Sequence, residues 1–183
     1  YVGRYFKDKM CVISVEESRD GGRSWQMLSE ISALPEEQKP HMFHEPHVVE
    51  TDDGRLVAQI RYHGADRCMR QSESSDGGKT WTVMKATPLA GLPPHLLRLR
   101  SGKLVTVYGR RFDACGEYAC LSDDQGRTWD VANEIKLAGH FDGDLGYPAS
   151  VELPDGAILT VYYQAETKGE LTCLMATKWR VKE

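Results

Sequence analysis

Ser18-Arg19-Asp20-Gly21-Gly22-Arg23-Ser24-Trp25 recurs as Ser74-Ser75-Asp76-Gly77-Gly78-Lys79-Thr80-Trp81, and again as Ser122-Asp123-Asp124-Gln125-Gly126-Arg127-Thr128-Trp129. The shared pattern is S-x-D-x-G-x-[ST]-W, with its Asp residues 56 and then 48 positions apart. Its chemistry is that of a tight hairpin turn. An Asp side chain accepts hydrogen bonds from the backbone N–H groups of its own turn, and the Gly supplies a positive φ. The Trp is expected to begin the next strand and pack its ring under the turn. Each part is structural, so Asp20, Asp76 and Asp124 are read as turn builders. A motif repeated at such intervals marks a fold assembled from equivalent units.

A second repeat interleaves with the first. Pro46-His47-Val48-Val49-Glu50-Thr51-Asp52-Asp53-Gly54-Arg55-Leu56-Val57 aligns with Pro94–Val105 and with Pro148–Leu159, and in each copy a Gly lies eight residues after the Pro. Each reads as strand, two-residue Asp-Gly or Ser-Gly turn, strand. The strands are rich in Val, Leu, Ile and Tyr, and apolar runs on the first two suit sheets covered on both faces. One unit is thus four antiparallel strands in about 50 residues, which is a β-propeller blade. No segment has a helical period, and Leu34–Pro40 reads as a loop between blades.

The expected architecture is all-β, with residues 1–183 forming about three and a half four-stranded blades. The chain opens near the end of a second strand (Val2-Gly3-Arg4-Tyr5) and passes through Cys11–Glu17 into the first box. The last unit starts at Tyr147 and ends in a third strand within Glu170–Val181. An open half-ring exposes long edges and faces. Missing N-terminal blades or a partner chain are therefore expected to complete the ring.

Of the 183 residues, 40% are hydrophobic and 27% charged, with a net charge of −4. That balance argues against nucleic acid and anionic membrane surfaces as partners, and no apolar run is long enough to span a bilayer. The five cysteines show no CxxC or zinc-ligand spacing. Free, half-buried thiols are expected, with one disulfide left open. No cofactor is indicated. His44, Glu45 and His47 invite a metal reading, but residues three apart on an extended strand point to opposite faces, so no metal site is expected there.

Three such boxes in such blades resemble the sialidase (neuraminidase) superfamily, a six-bladed propeller, over nearly the whole chain. Two segments carry the more specific likeness. Glu45–Arg61 resembles the segment holding a catalytic Glu and, at the end of the following strand, a carboxylate-binding Arg, which implies those roles for Glu45 and Arg61. Leu145–Gly156 resembles the segment holding the nucleophilic Tyr ahead of an L-x-D-G turn, which implies Tyr147. A third arginine falls at Arg110 or Arg111. The chain departs from the family in Pro148, where Ser is usual, and in Pro46. The family's first arginine, FRIP-like motif and acid/base Asp belong to early blades and are not found among these residues. The compartment is left open; the resemblance favours a secreted or periplasmic bacterial setting, and free cysteines leave a cytoplasmic one open.

The repeat register bears on this independently. Glu45, Pro93 and Tyr147 each precede an aligned proline, so Glu45 and Tyr147 hold equivalent sites on the innermost strands of two blades with one blade between. Both side chains are expected to converge at one mouth of the channel. His47 and its repeat partner His95 are candidates for substrate contact there. A sialic acid bears a carboxylate on its anomeric carbon, which paired arginines grip. A carboxylate nucleophile would be repelled by that group; a neutral Tyr is not, provided a Glu takes its proton. The expected function is an exo-acting sialidase-like glycoside hydrolase whose substrate is a glycan ending in a carboxylate sugar. The alternatives are a hydrolase for another acidic sugar and an inactive carbohydrate-binding or scaffold propeller.

Overall fold

The computed structural model describes residues 2–7 and 10–182, with backbone alone at residues 2, 4–7, 10 and 11. It is all-β, built from propeller blades. Fourteen strands among the described residues form four antiparallel sheets. The first sheet holds β1 (Val2–Lys7), β2 (Met10–Glu17) and β3 (Gln26–Ile31). The second holds β4 (Phe43–Glu50), β5 (Leu56–Tyr62), β6 (Cys68–Ser74) and β7 (Lys85–Ala90). The third holds β8 (Pro94–Arg98), β9 (Leu104–Arg110), β10 (Gly116–Ser122) and β11 (Ile135–Gly139), and the last holds β12 (Leu145–Glu152), β13 (Ile158–Gln164) and β14 (Cys173–Trp179). Strands within each sheet pair in chain order, and β4, β8 and β12 lie at the inner edge and face one another across the blades.

The cores lie between blades. Consecutive residues of a strand point to opposite faces, and here both faces are covered. Ala58 packs with Ile13, Ile31, Phe43 and Ile60, while its neighbour Val57 packs with Met69, Leu89, Leu104 and Trp129. Likewise Leu104 joins that second core, and Val105 joins Val107, Ala119 and Ile158 in a third. Each such fully buried side chain contributes about 1.5–3 kcal/mol of transfer free energy.

The boxes form equivalent turns. The Asp76 carboxylate accepts from Lys79 N (3.0 Å), Thr80 N (2.9 Å) and Thr80 Oγ1 (2.6 Å), and Ser74 Oγ donates to it at 2.8 Å. Asp20 is held in the same way by Arg23, Ser24 and Ser18, and Asp124 by Thr128 and Ser122. These donors hold the Asp20 and Asp76 carboxyls down at about 2.

Three local expectations need correction. Trp25 directly precedes β3, but Trp81 and Trp129 are separated from β7 and β11 by short linkers, which let the outer strand begin where it can pair. The inner hairpins have three-residue loops. Thr51 N bonds Arg55 O and Gly54 N bonds Thr51 O, with Gly54, Gly102 and Gly156 in the left-handed region at the third loop position. The Leu34–Pro40 stretch contains one turn of 3-10 helix, Pro35–Glu37. Cys68, Cys115, Cys120 and Cys173 are free thiols; the side chain of Cys11 lies outside the described residues. No helix among the described residues is long and apolar enough to cross a membrane.

Candidate functional site

Two strands break their own ladders at the same place. On β4 the register with β5 jumps between His44 and His47, leaving Glu45-Pro46 unpaired; on β12 the register with β13 jumps between Gly146 and Ala149, leaving Tyr147-Pro148 unpaired. Glu45 and Tyr147 carry φ of 45° and 52°. A non-glycine residue in that region is strained, and such bulges re-aim a side chain. The bulge also accounts for the two prolines: a residue outside the ladder has no N–H bond to lose.

The bulges turn both side chains to one point. The Tyr147 hydroxyl donates a short hydrogen bond to Glu45 Oε1. Arg61, at the end of β5, donates from Nη1 to Glu45 Oε2 at 2.7 Å and to the Tyr147 oxygen at 3.4 Å, and its Nε donates to His63 Nε2 at 2.6 Å. Burial pushes the Glu45 carboxyl up, but the Tyr147 hydroxyl and Arg61 outweigh it, so it sits below its ordinary value. The Tyr147 hydroxyl is pushed above its own, first by the bond to Glu45 and then by burial. The resting pair is thus an ionised Glu45 and a protonated Tyr147, an arrangement in which the hydroxyl can pass its proton to the carboxylate. Tyr147 is half-exposed, so the pair is open to a ligand.

Strand parity separates the two candidate arginines. Arg110 lies on the Tyr108 face, where it pairs with Glu134 at 2.6 Å, donates to Ala90 O and stacks 4.1 Å above the Tyr118 ring. Arg111 lies on the Gly109 face, toward the last blade. Its guanidinium is 5.5 Å from the Tyr147 ring centre and 6.0 Å from that of Tyr163, and its Nε and Nη2 are buried without hydrogen-bond partners. Glycines make that approach feasible: a Cβ on Gly109 would sit 2.9 Å from Gly146 Cα, and one on Gly146 would sit 3.1 Å from Arg111 Nη2. A depression of about 320 Å³ opens beside this group, lined by Arg61, His63, Arg67, Arg111 and Phe112 among others, with no acidic residue in its wall.

His47 and His95 do not join that group. Their ring centres lie 4.3 Å apart between β4 and β8, with the planes tilted by 42°, and His47 Nδ1 accepts from Leu96 N at 3.1 Å. Burial lowers both imidazoles, His95 to about 4. His44 turns instead to His63, 4.6 Å between ring centres, so the bulge sends His44 and His47 to different neighbours. No cluster of three or more metal-ligating side chains occurs among the described residues.

Sequence reading passed over His63, Tyr163 and Glu117. Tyr163 stands fifteen residues after Pro148, as Arg61 does after Pro46, so the register alone places it beside the site; its hydroxyl donates to Asp144 at 3.1 Å. Glu117 had a parity signal, an acid on the inward face of an apolar strand.

Residues 7–161 match the sequence profile of the BNR repeat-like domain. The chain belongs to the BNR repeat-like domain family. Among solved structures, this BNR repeat-like chain is similar to a protein of unknown function from Dyadobacter fermentans DSM 18053, with a TM-score of 0.82 and 27% identity over 94% of this chain and 46% of that one. It is also similar to the α-L-arabinanase of Penicillium chrysogenum complexed with arabinobiose (TM-score 0.67, 16% identity, 91% of this chain and 54% of that one). A Hadza microbial sialidase matches with a TM-score of 0.63 and 16% identity over 94% of this chain and 39% of its own. The chain spans about half the length of these solved proteins, or less. The likeness to the two glycosidases is one of fold. No curated protein matches the chain.

Proposed function

We propose that this BNR repeat-like domain belongs to an exo-acting glycoside hydrolase for a terminal acidic sugar, sialic acid first among them, and that residues 1–183 are part of its propeller. The observation that carries the reading is the contact of Tyr147, Glu45 and Arg61, three groups from three strands meeting with the protonation states a tyrosine nucleophile requires.

In this reading Arg61 and Arg111 hold the sugar carboxylate by charge-assisted hydrogen bonds. The Tyr147 oxygen attacks the anomeric carbon as its proton passes to Glu45, and the bond to the leaving oxygen breaks. Water later attacks the same carbon and the glycosyl–tyrosine bond breaks; Glu45 returns its proton to the Tyr147 oxygen, and the proton that the water loses passes to the solvent, matching the one taken up by the departed oxygen. A carboxylate in place of Tyr147 would stand against the substrate's own negative charge. The exposed Val151, Val161 and Leu174 on the outer face of the last sheet support a further blade packing there.

The test is turnover of an aryl sialoside, whose phenolate leaves without a proton donor, by the intact protein. Tyr147→Phe is expected to abolish most turnover with the melting temperature nearly unchanged, and Glu45→Gln to lower kcat by about 10²–10⁴-fold. Undiminished turnover in Tyr147→Phe removes the tyrosine-nucleophile reading, and absence of turnover in the wild type leaves the scaffold alternative.

A further inference from the structure

Glu117 is the most deeply buried acid described in the chain. It is fully inaccessible, and neither carboxyl oxygen has a hydrogen-bond partner. It sits on β10 directly opposite Gly109 of β9. Since Gly109 faces Gly146 and Leu145 of β12, so does Glu117. Arg111 continues that same face two residues beyond Gly109, and its own Nε and Nη2 are buried and unpaired. A carboxyl with no hydrogen-bond partner and a guanidinium with two unpaired nitrogens therefore lie on the same face of the sheet, toward β12.

An unpaired buried carboxylate is expensive, and so is an unpaired buried cation. The cheaper state keeps Glu117 protonated and leaves the Arg111 charge to whatever enters the site. We propose that Glu117 is a positioning residue that acts through Arg111, so that capture of an anion at Arg111 is coupled to uptake of a proton by Glu117. The inference rests on the reading of Arg111 as an anion-holding group.

Burial pushes the Glu117 carboxyl up to about 8, against the pull of the Arg111 charge. An anion on Arg111 cancels that pull, so Glu117 holds its proton more tightly in the bound state. The surrounding charges do not supply an alternative. Arg110, paired with Glu134, and Lys136, whose Nζ lies over the Tyr118 ring, belong to the opposite face of the sheet. From the last blade and the loop before it come Tyr147, Tyr163 with its Asp144 partner, and His140 with Asp142. Tyr147 and Tyr163 are both raised above the phenol's usual 10 and stay neutral in this range.

The sign follows. Below the free-state value Glu117 is protonated with or without ligand, and affinity is flat. Above it, each bound anion brings in a proton, so affinity falls as pH rises, by up to about tenfold per pH unit.

The experiment has two parts. The first is an NMR titration of glutamate side-chain carboxyls from pH 6 to 10, with and without sodium sulfate. One carboxyl is expected to titrate near 8, to move up in sulfate, to be absent in Glu117→Gln, and in Arg111→Met to move up and lose its response to sulfate. The second is calorimetry with N-acetylneuraminate in two buffers of different ionisation enthalpy. Proton uptake above pH 8 is expected in the wild type, with none in Glu117→Gln, whose affinity stays at the low-pH wild-type level up to pH 9. A wild type with no glutamate titrating above 7, or one whose titration ignores sulfate, overturns the proposal. So does sugar binding with equal proton uptake in Glu117→Gln. If sulfate shifts the titration but the sugar does not bind, the coupling stands and the acidic-sugar reading falls.

Discussion

Glu45 and Tyr147, 102 residues apart in the chain, meet in one hydrogen bond because each occupies a two-residue bulge with a left-handed backbone. The repeat made their positions equivalent, and the bulge made them useful. In a regular strand neither ladder would have released the side chain toward the other.

That backbone reverses an ordinary preference. In a strand, Gly is less stable than Ala by about 0.5–1 kcal/mol. At φ 52° the Cβ is the liability, worth about 1–2 kcal/mol in the left-handed region. Tyr147→Gly is therefore expected to be more stable than Tyr147→Ala by about 1 kcal/mol in urea denaturation, with both inactive. An order with Ala ahead of Gly argues that the bulge is absent in solution.

Arg110 and Arg111 are adjacent and are expected to respond oppositely. Arg110→Met takes the guanidinium donor from Glu134, which keeps the bond from the Tyr108 hydroxyl, and from Ala90 O, and should cost about 1–3 kcal/mol of stability. Arg111→Met removes a guanidinium with two buried, unpaired nitrogens and should leave stability equal or higher, while anion binding is lost. Paired denaturation curves and a sulfate-binding assay check both halves.

The adjoining imidazoles of His47 and His95 are expected to make the fold acid-sensitive. Both imidazoles are lowered by burial, so the unfolded chain takes up protons first as pH falls through 6.5. Stability is fully present above that value and is lost toward about 4, where His95 itself titrates. The His95 contribution to this loss is about 2 kcal/mol between pH 7 and 5. His95→Gln should flatten that slope; an unchanged slope in denaturation at the two pH values contradicts the assignment.

Asp76 carries four hydrogen bonds of its turn and stands apart from Tyr147. Asp76→Ala is expected to lower the melting temperature by several degrees and leave KM for the aryl sialoside unchanged. A changed KM with an unchanged melting temperature would reverse the structural reading of the boxes.

The sequence by itself determined the blade. Three copies of an Asp-Gly-Trp turn and three of a proline-led hairpin repeat in step, and hydrogen-bonding turns and alternating apolar strands are local properties written residue by residue. It also placed Glu45 and Tyr147 at equivalent positions, since equivalence is only a matter of counting. Tertiary structure decided the rest. Which of Arg110 and Arg111 reaches Tyr147 depends on which face of β9 the neighbouring blade covers. The contact of His47 with His95 depends on how β4 and β8 lie side by side. Strand parity hints at Glu117, but its removal from water depends on the closing of β12 over Gly109. Burial, charge pairing and the side-chain aim given by a bulge arise between segments far apart in the chain, and no local pattern of residues encodes them.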